Sequence, residues 1–221
     1  MPPRTALRLV PALTPLLAAL LGGCSSDEPL AYADVASSGQ LAPNADPTGR
    51  PPYRYSTEVN WRDYDKVILD PVTVYSGRDQ QFGEMPQADR EALARQMQQQ
   101  FAQRLAKRFT VVQQAGPKTL RVKLTLTGAT ANTPGLATLS RFDVAGAVVN
   151  SVQTLRDGEG TFTGSVRYVV EIHDAKTGRL LSAFVSKQYP KPYDIPAGIG
   201  PLDAAKAGID RGADELVAQL K

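Results

Sequence analysis

Two stretches of this chain alternate apolar and polar residues without interruption, and they commit it to a sheet. Over residues 119–127, Leu120, Val122, Leu124 and Leu126 face one way, and Arg121, Lys123, Thr125 and Thr127 face the other. Over residues 165–173 the inward set is Val166, Tyr168, Val170 and Ile172. A period of two sends successive side chains to opposite faces, so both segments predict strands with one side on a core and one side wet. Asp174-Ala175-Lys176-Thr177-Gly178 then reads as a hairpin turn, with Gly178 in the left-handed position and residues 180–188 as the returning strand.

The rest of the chain supplies a partner layer. Residues 66–75 predict an earlier strand: Val67-Ile68-Leu69 is continuously apolar, as for burial on both faces, and Val72 and Val74 continue it. Pro71 cannot donate to a ladder, so a bulge or an edge is expected there. Leu93, Met97, Phe101 and Leu105 recur every four residues, widened by Ala94 and Ala102, and predict a helix from Pro86 to about Arg108. Arg104, Lys107 and Arg108 fall in its last turn, where the helix dipole favours cations. A short strand over 109–113 precedes a break at Gly116-Pro117. A closing helix over 202–220 carries Leu202, Ala205, Ile209, Ala213, Leu216, Val217 and Leu220 on one side.

The order β-α-β-β-β-β-α predicts an α+β two-layer sandwich. Its sheet is mixed, mostly antiparallel, with four to five strands and both helices on one face. Residues 134–160 stand outside this scheme. Val144, Val148, Val152 and Leu155 have helical spacing and Asp143 is placed to cap them, but Gly146 weakens the pattern. A helical or partly mobile insertion is expected, of the length that often serves as a partner surface.

The only cysteine, Cys24, ends Leu21-Gly22-Gly23-Cys24 behind an apolar run over residues 9–21, with Arg4 and Arg8 ahead of it. This is the pattern of a bacterial lipoprotein signal. About thirteen apolar residues suit a signal peptide and fall short of the roughly 20 that span a bilayer. The expectation is cleavage after Gly23, acylation of Cys24, and a mature protein that is anchored and does not span. Ser25, in place of an aspartate, points by analogy to the outer membrane and a periplasm-facing domain. With its one thiol given to lipid, the mature chain has no disulfide and no cysteine for catalysis or metal.

Residues 1–23 thus read as the leader and 24–55 as a lipidated flexible tether rich in serine, glycine and proline. Residues 56–221 read as one domain. The formal charge of +3 includes Arg4 and Arg8. Without them 23 basic side chains face 22 acidic ones, a net of +1, which argues against a nucleic-acid partner.

No catalytic set emerges. His173 is the only histidine and alternates onto the polar face beside Arg167 and Glu171, without the company that a zinc site or a serine triad needs. Asp63 and Asp65 lie in a polar turn that gives no reason for a raised pKa. Gly158-Glu159-Gly160 and Gly198-Ile199-Gly200 lack the strand and helix context of a phosphate loop. Two surfaces are candidates for contact. One is the glutamine run Gln96, Gln98, Gln99, Gln100 and Gln103; the other is a basic patch of Arg121, Lys123 and Arg167. Trp61 reads as a packing plug. No enzyme activity, cofactor or metal is expected.

The run from Trp61 to Val72, Trp-Arg-Asp-Tyr-Asp-Lys-Val-Ile-Leu-Asp-Pro-Val, resembles the opening of the bacterial lipoprotein family known as domain of unknown function thirty-three thirteen. Phe162-Thr163-Gly164 and Glu171-Ile172-His173-Asp174-Ala175-Lys176-Thr177-Gly178-Arg179-Leu180-Leu181 resemble its second signature. The similarity runs from about Tyr55 to the C-terminus and implies a cell-envelope lipoprotein without an established activity. The element order is also similar to the periplasmic domain of the curli secretion channel and of lipoprotein activators of peptidoglycan synthases, which work by docking or ring assembly. The expectation is therefore a non-enzymatic outer-membrane lipoprotein that docks a periplasmic partner or self-assembles. The alternative is a carrier for a small ligand or lipid, with its pocket beneath residues 134–160.

Overall fold

A computed structural model describes residues 31–44, 52–132, 164–190 and 200–221. The signal, Cys24 and the 134–160 insertion lie outside these residues. The observed fold is the expected α+β arrangement of one mixed sheet with two helices packed on one face. Its strands are β1 (Ala42–Pro43), β2 (Tyr53–Ser56), β3 (Lys66–Leu69), β4 (Thr73–Val74), β5 (Thr110–Val111), β6 (Thr119–Thr130), β7 (Ser165–Asp174) and β8 (Leu180–Gln188). The α-helices among the described residues are α1 (Gln87–Leu105) and α2 (Asp203–Gln219). The sheet order is β1-β2-β8-β7-β6-β3-β5, with β4 also pairing β6, so the described residues form 8 strands where four to five were expected.

The long hairpins form as the alternation predicts. β6 pairs β7 and β7 pairs β8, both antiparallel. Leu120, Val122, Leu124, Leu126, Val166, Tyr168, Val170 and Ile172 all join the core under the helices. The single strand expected over 66–75 is two strands instead. Pro71 opens a gap between β3 and β4, while both remain parallel to β6 on either side of it. Backbone bonds from Asp70 N–H to Val122 O and from Tyr75 N–H to Leu126 O hold the register across the gap. The sheet ends in two-residue strands, β1 with Pro43 and β5, which limits the edge available for stray pairing.

Helix α1 buries Leu93, Ala94, Met97, Phe101 and Leu105, the stripe read from its spacing. It is joined to α2 by an ion pair, Arg104 Nε to Asp214 Oδ1 at 2.7 Å. Helix α2 lies close on the sheet because Gly208 and Gly212 face it. A Cβ on Gly208 would press on Val166 and the Gln188 carbonyl, and one on Gly212 would overlap the Tyr168 hydroxyl. Tyr168 is itself fixed edge-on against Phe101, with centroids 5.7 Å apart.

The end of β6 and the start of β7 are fastened at one place. Buried Asn132 accepts Gly164 N–H at 2.9 Å and donates from Nδ2 to Gly200 O, while its own N–H reaches Pro201 O at 2.9 Å. The chain therefore leaves β6 and enters β7 beside the start of α2.

Close packing at Gly212 gives a direct check. Gly212→Ala should cost about 1–3 kcal/mol through overpacking against Tyr168. The measurement is urea unfolding, with a lowered midpoint and an unchanged slope; Gly39→Ala, where the new methyl meets nothing within 4 Å, serves as the control.

Candidate functional site

The face of the sheet away from the helices was expected to be wet, and much of it is covered. Residues 31–44 fold over it as a strap, and β1 and β2 extend the sheet beyond β8. The flexible tether expected over 24–55 therefore needs correcting: residues 31–44 and 52–55 are part of the fold. Physically, a second apolar cluster draws them in, made of Tyr32, Val35, Tyr75, Val169 and Val185 with Leu41 and Tyr53 against it.

Polar bonds set the strap's position. Tyr32 is 1 % exposed and sits at φ +55°, a left-handed conformation that costs a non-glycine residue on the order of 1 kcal/mol. It is held there by its ring, edge-on to Tyr75 at 5.4 Å, and by its hydroxyl, which donates to Gln81 Oε1 at 2.7 Å. Tyr75 OH donates to Asp79 Oδ1 at 2.6 Å and accepts Asp34 N–H at 3.2 Å. Ala33 N–H reaches the other oxygen of Asp79 at 3.0 Å. Farther along, Ser37 N–H donates to Glu171 Oε1 at 2.8 Å.

These contacts shift the titrating groups. Burial and the bond to Asp79 push the Tyr75 phenol up to about 12. Burial alone would raise Asp79, but the bonds from Tyr75 and from the Ala33 backbone outweigh it and hold the carboxyl below its ordinary value.

The expected polar row is present, partly covered. Arg167 is 3 % exposed and Glu171 is 5 % exposed, so the basic patch is corrected: Arg121 and Lys123 remain half-exposed and Arg167 does not. Alternation places these residues on the far side correctly; the strap covers Glu171. His173 is half-buried at the margin. Burial lowers its pKa, Glu171 and Asp70 pull it upward, and Lys123 and Arg121 push it down. Asp70 stands 3.7 Å from Arg121. No nucleophile, acid and base converge on this histidine among the described residues.

The other sequence candidates are structural. Asp63 and Asp65 are exposed, bonded to Asn60 and Lys66. Of the glutamines, Gln98 accepts Val72 N–H at 2.8 Å, Gln100 accepts from Arg104, and Gln96 bonds Asp210. Only Gln99 and Gln103 are fully exposed. Trp61 packs against the core, as expected, and its carbonyl accepts from Arg108. Gly158-Glu159-Gly160 lies outside the described residues, as do Gly198 and Ile199.

The two signature segments meet in space. Tyr64 OH donates to Asp174 Oδ2 at 3.0 Å, joining the Trp61–Asp63 turn to the β7–β8 hairpin. Asp174 Oδ1 accepts the Lys176 and Thr177 N–H groups and the Thr177 hydroxyl, and Gly178 takes φ +73° to close the turn. Burial would raise the Asp174 carboxyl, yet these bonds hold it low.

The sequence matches a family described as a protein of unknown function (DUF3313) over residues 31–216. The chain belongs to this family. The match to DUF3313 begins at residue 31, where the strap begins, well ahead of the Tyr55 start read from the motifs alone. No curated protein matches the chain. Among solved structures, a PelC dodecamer from Paraburkholderia phytofirmans is similar over 76% of this chain and 91% of that one, at 11% identity and a TM-score of 0.39. A point variant of the same dodecamer gives 10% identity and a TM-score of 0.38, covering 74% and 93%. A protein from Caulobacter crescentus described as a candidate lipoprotein gives 15% identity and a TM-score of 0.26, covering 69% and 83%. All three are too distant to carry a function to this DUF3313 domain.

The strap's ties are testable by pH and by truncation. Tyr32→Ala should lower stability by about 3–5 kcal/mol, the range for emptying a buried aromatic site. Asp79 has a lowered folded pKa, so its contribution is present above about 4 and is lost as pH falls through the lowered value. Tyr75 has a raised one, so its contribution is present below about 10 and is lost as pH rises from about 10 to about 12. Amide exchange across residues 32–38 should rise at both extremes, and in Asp79→Asn the acid limb should flatten.

Proposed function

We propose that this DUF3313 protein is an outer-membrane lipoprotein, anchored through acylated Cys24 and facing the periplasm. It works by docking or assembling with a partner, and it performs no chemistry of its own. The observation supporting this is the short chain between the lipobox and the strap. Tyr32 is a buried, fixed point, and eight residue steps separate it from Cys24. Fully extended, eight steps reach about 28 Å. A tether running to residue 55 would have reached roughly 100 Å. The folded domain is therefore held next to the membrane and is not free to range across the periplasm.

Four residues with shifted titration, Tyr64, Asp174, Tyr75 and Asp79, are bonded to one another in pairs that close turns or fasten the strap. A diacylglycerol thioether plus an amide-linked chain gives more than the two signals that stable membrane attachment requires.

Replacing Cys24 by alanine should abolish incorporation of radiolabelled palmitate and move the protein from the membrane fraction to the soluble one. Cross-linking in intact cells, followed by identification of the adduct, reads the docking half. A defined complex or homo-oligomer is expected, and a protein that stays monomeric and uncross-linked while co-purifying with lipid would transfer the reading to a carrier.

A further inference from the structure

Beneath the strap lies a groove of about 290 Å³, with Asp34, Thr73, Tyr75, Ser76, Thr125 and Glu171 in its wall. Glu171 sets its chemistry. Its side chain belongs to a residue only 5 % exposed, yet its one hydrogen bond is from Ser37 N–H to Oε1 at 2.8 Å. The second carboxylate oxygen accepts nothing among the described residues. Lys123 stands in register across the strand pair without forming an ion pair to it. A carboxylate withdrawn from water needs an opposite charge or several donors nearby. Here one donor is supplied, and the rest of the carboxylate is turned toward an open volume.

We propose that the groove binds a ligand through a primary ammonium group, with Glu171 as the buried counter-charge and Asp34 as the second carboxylate at the mouth. An ammonium has three donors and no acceptor, which suits a site walled by two carboxylates and the paired hydroxyls of Thr73 and Thr125. The Tyr75 ring in the wall adds an aromatic surface of the kind that attracts cations. A divalent metal would ask for six or more oxygens in a closed shell, and two carboxylates with mobile hydroxyls do not provide one. The volume corresponds to about ten water-sized groups, enough for a short aminoalkyl chain. The site uses folded residues alone, so a failure of acylation at Cys24 leaves it standing.

The experiment titrates the mature, lipidated protein in detergent with ethanolamine and with N-acetylethanolamine, its neutral match, by calorimetry and by amide shifts. Ethanolamine should saturate a single site, and the acetylated probe should not bind. Glu171→Gln keeps an acceptor for Ser37 N–H and should weaken ethanolamine binding about tenfold to a hundredfold, as for loss of a charged hydrogen bond. Asp34→Asn, at an exposed position, should weaken it less while leaving the fold unchanged. Equal binding of the two probes, or parent-like affinity in Glu171→Gln, overturns the proposal. If Glu171→Gln does not fold, Asp34→Asn decides, and affinity within twofold of the parent overturns it. Micelles doped with phosphatidylethanolamine or with phosphatidylglycerol then separate the sources. Competition by the first alone assigns a lipid headgroup, and no competition by either assigns a free amine.

Discussion

Every residue of β7 from 165 to 172 is buried, and the rest of the structure answers to that fact. A strand that is dry on both faces needs two covers. Helices α1 and α2 supply one, over Val166, Tyr168, Val170 and Ile172. The strap supplies the other, over Val169 and Glu171, with Val35 and Tyr32 as its apolar contribution. Its contact to Glu171 closes a loop of 134 residues. Closure entropy grows only with the logarithm of length, so even this distant contact can be offset by a few buried side chains at about 1.5–3 kcal/mol each.

Most of the helix-side architecture was legible because its signals are local. Leu93, Met97, Phe101 and Leu105 reveal a helix face by spacing alone, and the β6 and β7 alternation reveals the strands and the side each residue takes. Solvent is a different matter. Alternation records the side of a residue, not whether that side is wet, so Arg167 and Glu171 look like surface positions in the sequence. The strap itself shows almost nothing. Tyr32 and Val35 are separated by two small or charged residues in a stretch of serine, alanine and glycine, and neither period applies to them. Their burial depends on Tyr75, Val169 and Val185, which no local window contains. The β3–β4 gap is intermediate: Pro71 announces an interruption, and only the pairing to β6 shows that the ladder resumes beyond it.

The signature segments carry a related lesson about function. Trp61, Tyr64, Asp174 and Thr177 look distinctive in the sequence because they make one joint, where a capped turn meets a hairpin through the Tyr64–Asp174 bond. The same holds for two glutamines of α1, Gln98 and Gln96, which fasten neighbouring elements through Val72 and Asp210. Conspicuous motifs here explain how the fold closes. The groove beneath the strap has no motif of its own, since Asp34 and Glu171 reach it from opposite ends of the chain.

That division gives the strap two jobs that cannot be separated. It continues directly from the segment bearing Cys24, and it also forms one wall of the groove through Asp34, Val35 and Ala36. A ligand that touches Asp34 and Glu171 together binds only when the strap is docked. By linkage it must then stabilise docking by the same free energy with which docking favours the ligand, about 2.7 kcal/mol at a concentration 100 times its Kd. With the proposed anchor at Cys24, tension along the chain would act in the opposite sense, loading first the Tyr32, Tyr75 and Asp79 contacts where the strap begins. On the two proposals together, occupancy of the groove and the reach of the domain from the membrane would be two readings of one equilibrium, set by whether residues 31–44 lie on the sheet.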